Sequence, residues 1–184
     1  EHRPADIWSS VTRGIRAILR KKLCKPGDIV AIGITNQRET ALLWDRRTGE
    51  PLNNAVVWQC RRTTDFCESL RQAGHEALIR RRSGLVLDPY FSASKYRWLL
   101  RNTRGIGSAL KAGNVAAGTI DSFLIWQLTA GGSHVTDISN ASRTSLMNID
   151  SVDCDPQLLE LFEVPGSILP RIVPSSGLLG HTSG

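Results

Sequence analysis

Residues 29–34, Ile-Val-Ala-Ile-Gly-Ile, form a short apolar run that is β-branched at Ile29, Val30, Ile32 and Ile34. A run this short with no polar face predicts a strand buried on both sides, because a half-exposed strand alternates and a helix needs a longer pattern. A strand covered on both faces needs helices packed over a sheet. The run therefore commits the chain to an α/β architecture.

The flanking patterns agree. Ile7, Val11, Ile15, Ile18 and Leu19 recur at helical spacing, which predicts a helix over 7–23 with Asp6 as its cap and Pro26-Gly27 as its stop. Residues 40–44 and 55–58 read as two antiparallel strands around a connection containing Thr48-Gly49. Helices are predicted over 63–73, 76–82 and 94–102, with Arg80, Arg81 and Arg82 at a solvated helix end. Residues 115–120 read as a strand, followed by a helix to Leu128 capped by Asp121. Asp150, Asp153 and Asp155 invite a metal-site reading, but Asp155 before Pro156 reads better as a helix N-cap with proline in the first turn. The Pro-, Gly- and Ser-rich tail from 165 to 184 is expected to be a loop or linker.

At 184 residues, 41% hydrophobic and 22% charged, the chain has the composition of a folded domain rather than a disordered or disulfide-rich one. No apolar run approaches the roughly 20 residues that cross a bilayer. With no signal-peptide pattern after Glu1-His2-Arg3-Pro4, the expectation is a cytoplasmic protein whose sequence starts in mid-protein. The net charge of +6 divides into +11 over residues 1–111 and −5 beyond them. That asymmetry suits a nucleic-acid face or surfaces that meet other parts of the same protein, and no RNA-binding pattern of interleaved aromatics and glycines favours the former. Cys24, Cys60, Cys67 and Cys154 lack metal-site spacing and read as separate reduced thiols. Asn140-Ala141-Ser142 matches a glycosylation acceptor, a pattern common by chance.

No phosphate loop, G-x-G-x-x-G, G-x-S-x-G or H-E-x-x-H motif is present. His2, His75, His134 and His181 are scattered and read as surface residues. Polar chemistry is concentrated at residues 35–40, Thr-Asn-Gln-Arg-Glu-Thr, directly after the apolar run. Ligands of open α/β sheets gather beyond strand ends. Arg38 only donates hydrogen bonds and an ionised Glu39 only accepts, so the pair can fix two adjacent hydroxyls of a polyol while compensating each other's charge. The same two residues also read as a purely structural ion pair. Trp58 and Tyr90, the latter in the turn Asp88-Pro89-Tyr90-Phe91, can supply apolar walls and a phenol, although each alone is as readily a core residue.

Five blocks at these positions resemble the FGGY carbohydrate-kinase family, and in particular its glycerol-phosphorylating branch. They are AIGITNQRET at 31–40, AVVWQCRRT at 55–63, GLVLDPYFS at 84–92 with Lys95 and Trp98, GTIDSFLIW at 118–126, and TDISNASRT at 136–144. The resemblance implies a ribonuclease-H-like domain of the actin and hexokinase type, incomplete, with a mixed sheet flanked by helices. It implies ATP-dependent transfer of a phosphoryl group to a polyol, here glycerol giving sn-glycerol 3-phosphate, with ATP and Mg as cofactors of the full-length enzyme. By motif, Arg38 and Glu39 would bind the glycerol hydroxyls, Tyr90 would add its phenol and Trp58 would back the carbon chain. Residues 1–184 would be a partial N-terminal domain, lacking the phosphate-loop hairpin that opens the family, the later block carrying the general base, and the second, ATP-binding domain. No catalytic, cofactor or metal residue is thus expected within the segment, which should be inert by itself and belong to a homo-oligomer when complete, with no nucleic-acid partner and no membrane insertion. Another sugar or polyol kinase of the family, or a non-catalytic binding module derived from one, are the alternatives.

Overall fold

The computed structural model describes residues 1–183. Helix α1 (Pro4–Arg20) is followed by a 3₁₀ turn at Pro26–Asp28, then strand β1 (Ala41–Asp45) and helices α2 (Thr64–Gln72), α3 (Glu76–Ser83), α4 (Ser92–Asn102) and α5 (Ile106–Lys111). Strand β2 (Val115–Thr119) runs directly into helix α6 (Ile120–Leu128). The remainder comprises β3 (Val135–Asp137), α7 (Ile138–Ala141), β4 (Met147–Asn148), β5 (Asp153–Cys154), α8 (Pro156–Leu161), a 3₁₀ turn at Gly166–Ile168 and β6 (Arg171–Val173).

Strand β1 pairs antiparallel with β2, Ala41 opposite Thr119 and Asp45 opposite Val115, and both strands are buried along almost their whole length. This pair forms the floor of the molecule. On one side Leu43, Val56, Tyr96, Leu99, Leu146 and Phe162 build the main core against α2, α4 and α8. On the other, Leu42, Trp44, Ala116, Phe123 and Trp126 pack beneath α1, which contributes Ile7, Trp8 and Val11. Helices thus cover both faces of the strand pair, as an α/β chain requires.

The strand expected at 55–58 does not form in full: it meets β1 only at the antiparallel bridge Ala41–Val56, and Ala55 bridges His2. Strand β3 pairs in parallel with β6, and β4 pairs antiparallel with β5, so parallel and antiparallel ladders coexist in three separate two-stranded sheets instead of one continuous sheet. The tail expected to be a loop supplies β6, whose backbone completes the ladder of β3.

The strand expected at 29–34 is absent. These residues have no ladder partner among the described residues, and Val30 is 98% exposed. A strand exists only where a neighbour supplies donors and acceptors, and burial of both faces needs two covering layers. Apolar composition alone provides neither. Among these residues Ile34 packs inward, between α6 and the β3–β6 pair.

Two expected caps are also corrected. Asp6 lies in the first turn of α1 and pairs with Arg3 at 2.7 Å, while Arg3 occupies the cap position and Pro4 starts the helix. Asp121 does not cap α6. Thr119 is the boundary residue, and the buried Asp121 carboxylate instead accepts from Asn36 Nδ2 at 2.9 Å, Thr136 Oγ1 at 2.6 Å and the Thr119 hydroxyl. The cap at Asp155 forms as expected, accepting from the backbone of Gln157 at 2.8 Å and Leu158 at 3.1 Å. No cluster of three potential metal ligands exists among the described residues, and no helix is long and apolar enough to cross a membrane.

Candidate functional site

The segment 35–40 lies between the exposed run and β1. At its end Glu39 adopts a left-handed conformation, φ 61°, which a non-glycine residue takes only at a cost of order 1 kcal/mol. The turn sends the Glu39 side chain into the protein, where the residue is 3% exposed, and leaves Arg38 exposed. Consecutive residues of opposite charge therefore part company. Arg38 lines a groove of about 980 Å³ together with Asn36, Asp121, Ser139 and Ser175, and makes no side-chain hydrogen bond or ion pair with any described residue.

The charge partner of Glu39 is Arg143. Its Nε donates to Glu39 Oε1 at 2.7 Å. This overturns the reading of Arg38 and Glu39 as a structural ion pair and the expectation that their charges compensate each other: the left-handed turn separates them, and a residue about a hundred positions later supplies the compensation. A buried carboxylate needs such a cation, because loss of hydration is otherwise prohibitive. The Arg143 guanidinium carbon also stands 4.9 Å from the Phe91 ring centroid and 5.8 Å from that of Tyr90.

Tyr90 and Phe91 belong to the turn before α4. Asp88 accepts from the Tyr90 backbone N–H at 2.7 Å, shaping that turn. Lys95, one helical turn into α4 and fully buried, donates its ammonium to the carbonyls of Phe91, at 2.9 Å, and Tyr90. Burial pushes its pKa down to about 8, partly opposed by the charge of Glu39. The Tyr90 ring lies 5.5 Å from the Trp58 ring, centroid to centroid and tilted by 58°, and Trp58 is 37% exposed, unlike a core indole. Three of the four residues singled out in the sequence are thus linked by one chain of contacts, running from the buried Glu39 through Arg143 to Tyr90 and on to the partly exposed Trp58. The fourth, Arg38, borders the adjoining groove.

Sequence reasoning missed Arg143 as a member of this group. It lay in plain view within the block TDISNASRT, but pairing across the chain leaves no trace in local spacing. Asp137 caps α7 through the backbones of Ser139 (3.2 Å) and Asn140 (2.9 Å), and the Ala93 N–H donates to Thr144 O at 2.8 Å, which together fix where Arg143 departs. His134 is the other correction. Instead of lying on the surface it stands half-buried between Trp44 and Trp126, with ring centroids at 5.3 and 5.4 Å, and its Nε2 donates to Ala117 O at 2.9 Å.

Residues 1–183 match the profile of the FGGY family of carbohydrate kinases, N-terminal domain. The chain is 54% identical over 184 residues to a glycerol kinase of Bdellovibrio bacteriovorus and 48% identical over 183 residues to glycerol kinase 2 of Thermotoga maritima. In each case all of this chain is covered, and it spans 37% of the relative's length. Among solved structures, the Plasmodium falciparum glycerol kinase with ADP superposes with a TM-score of 0.86 at 33% identity, covering all of this chain and 37% of that one. A gluconate kinase from Lactobacillus acidophilus, at 24% identity and a TM-score of 0.80 over 94% of this chain and 33% of its own, shares the fold. With both the profile and the fold matched along its described length, the chain belongs to the FGGY family of carbohydrate kinases, as part of its N-terminal domain.

Proposed function

We propose that the full-length protein is an ATP-dependent glycerol kinase that converts glycerol to sn-glycerol 3-phosphate, and that this segment supplies polyol contacts without supplying the general base. The observation that carries the reading is the chain of contacts that joins Glu39, through Arg143, to Tyr90 and Trp58. It brings an acceptor-only carboxylate, a phenol and a partly exposed indole into one neighbourhood. Glycerol presents hydroxyl donors on a short carbon chain, and each of these groups answers one part of it. Glu39 accepts from a hydroxyl, Tyr90 donates or accepts at the next, and Trp58 covers the carbons. Arg38, next to Glu39 in the chain and free of other partners among the described residues, is assigned as the donor to the polyol. The two relatives of highest identity given above are named glycerol kinases, which favours glycerol over a sugar.

Residues 1–184 make up part of the first domain, and the phosphate-loop hairpin and a second, ATP-binding domain lie elsewhere in the full-length protein. ATP and Mg are held by those other parts of the full-length protein. What this segment does is orient one acceptor hydroxyl, an effect that matters because phosphoryl transfer depends on alignment of nucleophile and phosphate. The working enzyme is taken to be a cytoplasmic homo-oligomer.

The reading is tested in the full-length enzyme with Glu39→Gln and Arg38→Ala. Each removes a charge-assisted hydrogen bond worth about 1.5–3 kcal/mol, so the KM for glycerol should rise by roughly ten- to a hundredfold with the KM for ATP unchanged. Unchanged glycerol kinetics in both variants would refute it.

A further inference from the structure

We propose that Arg143 is a positioning residue for the polyol site, acting through Glu39. The inference rests on the reading of Glu39 as a hydroxyl acceptor. Glu39 is one of the few buried acids in the molecule, and its carboxylate has two oxygens with different fates. Oε1 takes the Arg143 Nε at 2.7 Å, whereas Oε2 accepts no hydrogen bond from any described residue. One oxygen is anchored and the other is left for a ligand. Because a carboxylate is planar, fixing Oε1 fixes the direction in which the Oε2 lone pairs are presented.

The same guanidinium lies against Phe91 and near Tyr90, and its side chain is 30% exposed where that of Glu39 is 3% exposed. A single cation thus joins the turn carrying Glu39, the turn carrying Tyr90 and the segment after α7. These three pieces are far apart in sequence, and no other ion pair among the described residues ties the first to the third. If Arg143 served only to neutralise a buried acid, any cation would do. The Nε contact combined with the approach of the guanidinium to the Phe91 ring instead fixes orientation, which a lysine point charge reproduces poorly.

The test is a double-mutant cycle in the full-length enzyme with Glu39→Ala, Arg143→Ala and the double variant, alongside Arg143→Lys and Arg143→Gln, each with its thermal transition recorded. Arg143→Ala should raise the KM for glycerol about tenfold or more and leave the KM for ATP within about twofold. Added to Glu39→Ala, it should cost less than about twofold further, since a residue acting through Glu39 has nothing left to position. Arg143→Lys should recover only part of the loss, and Arg143→Gln, which reaches only as far as the Nε position and loses the charge and the guanidinium lying against Phe91, should recover no more than Arg143→Lys. Equal losses in both backgrounds would mean that Arg143 acts independently of Glu39 and would overturn the proposal. Wild-type glycerol kinetics for the Arg143 variants with an impaired Glu39→Ala would also overturn it, while leaving the polyol reading intact. Wild-type kinetics for Glu39→Ala would remove the polyol reading first. Should Arg143→Ala fail to fold, the lysine and glutamine variants carry the same comparison.

Discussion

The Lys95 ammonium, fully buried, donates to the carbonyl of Phe91 at 2.9 Å and to that of Tyr90, so a charge with no carboxylate in hydrogen-bond contact clasps the turn that presents the Tyr90 phenol. The carbonyls only partly repay the lost hydration, and burial brings the pKa from 10.5 down to about 8.

Between pH 8 and 10.5 the unfolded chain holds a proton that the folded chain has released. Stability from this group therefore rises with pH across that window, and below it the full penalty for burying the charge, about 3 kcal/mol, applies. Replacing Lys95 with Met removes the penalty but leaves two carbonyls without a donor, each costing about 1–3 kcal/mol. The two effects oppose each other, so Lys95→Met should change stability at pH 7 by no more than about 3 kcal/mol. Relative to this variant, the wild type should gain stability from pH 8 to 10, measured by urea unfolding. Glycerol KM should rise as the turn loosens. A parallel pH dependence in the two proteins would refute the assignment.

His134 should give a signature of the same sign on the acid side. Burial holds its pKa at about 4, against an ordinary value of 6.5, despite the hydrogen bond to Ala117 O. As pH falls through this window the unfolded chain takes up a proton that the native ring refuses, so stability declines by about 2–3 kcal/mol between pH 6.5 and 4. His134→Phe keeps an aromatic ring between Trp44 and Trp126 and cannot titrate. It should lose about 1 kcal/mol at pH 7 with the hydrogen bond, and its unfolding midpoint should fall less steeply on acidification. An identical acid limb in the variant would place the titrating group elsewhere.

Much of the fold was legible because its signals are local. Asp155 before Pro156 announced α8, and the β2-to-α6 step followed from an apolar run ahead of Asp121. The failures are of another kind. The run at 29–34 is as apolar as any strand, yet strand formation depends on a partner backbone that its own residues do not encode. Helix α5 was missed because only six residues form it, too few for a period to show. At the site, donor and acceptor chemistry pointed to Arg38 and Glu39, but adjacency suggested that they pair. A left-handed turn at Glu39 and a cation from residue 143 decide that question, and both are tertiary facts.

Two glycines separate what backbone freedom and close packing each require. Gly118 in β2 faces Leu42, and a Cβ placed there would sit 2.7 Å from Ser122 Cβ and 3.0 Å from the Trp44 ring. Both neighbours are buried and fixed, so Gly118→Ala should destabilise the protein by about 1–3 kcal/mol as β2 is pushed off α6. Gly14 lies inside α1, where a Cβ would meet nothing within 4 Å. There Gly14→Ala removes the conformational freedom that the unfolded chain enjoys at glycine and should stabilise by about 0.5–1 kcal/mol. Denaturant unfolding of the two variants side by side should therefore move the midpoint in opposite directions. A neutral Gly118→Ala would mean that α6 can slide away from the β1–β2 pair, contradicting the tight seam on which Trp44 and Phe123 pack, with ring centroids 5.7 Å apart.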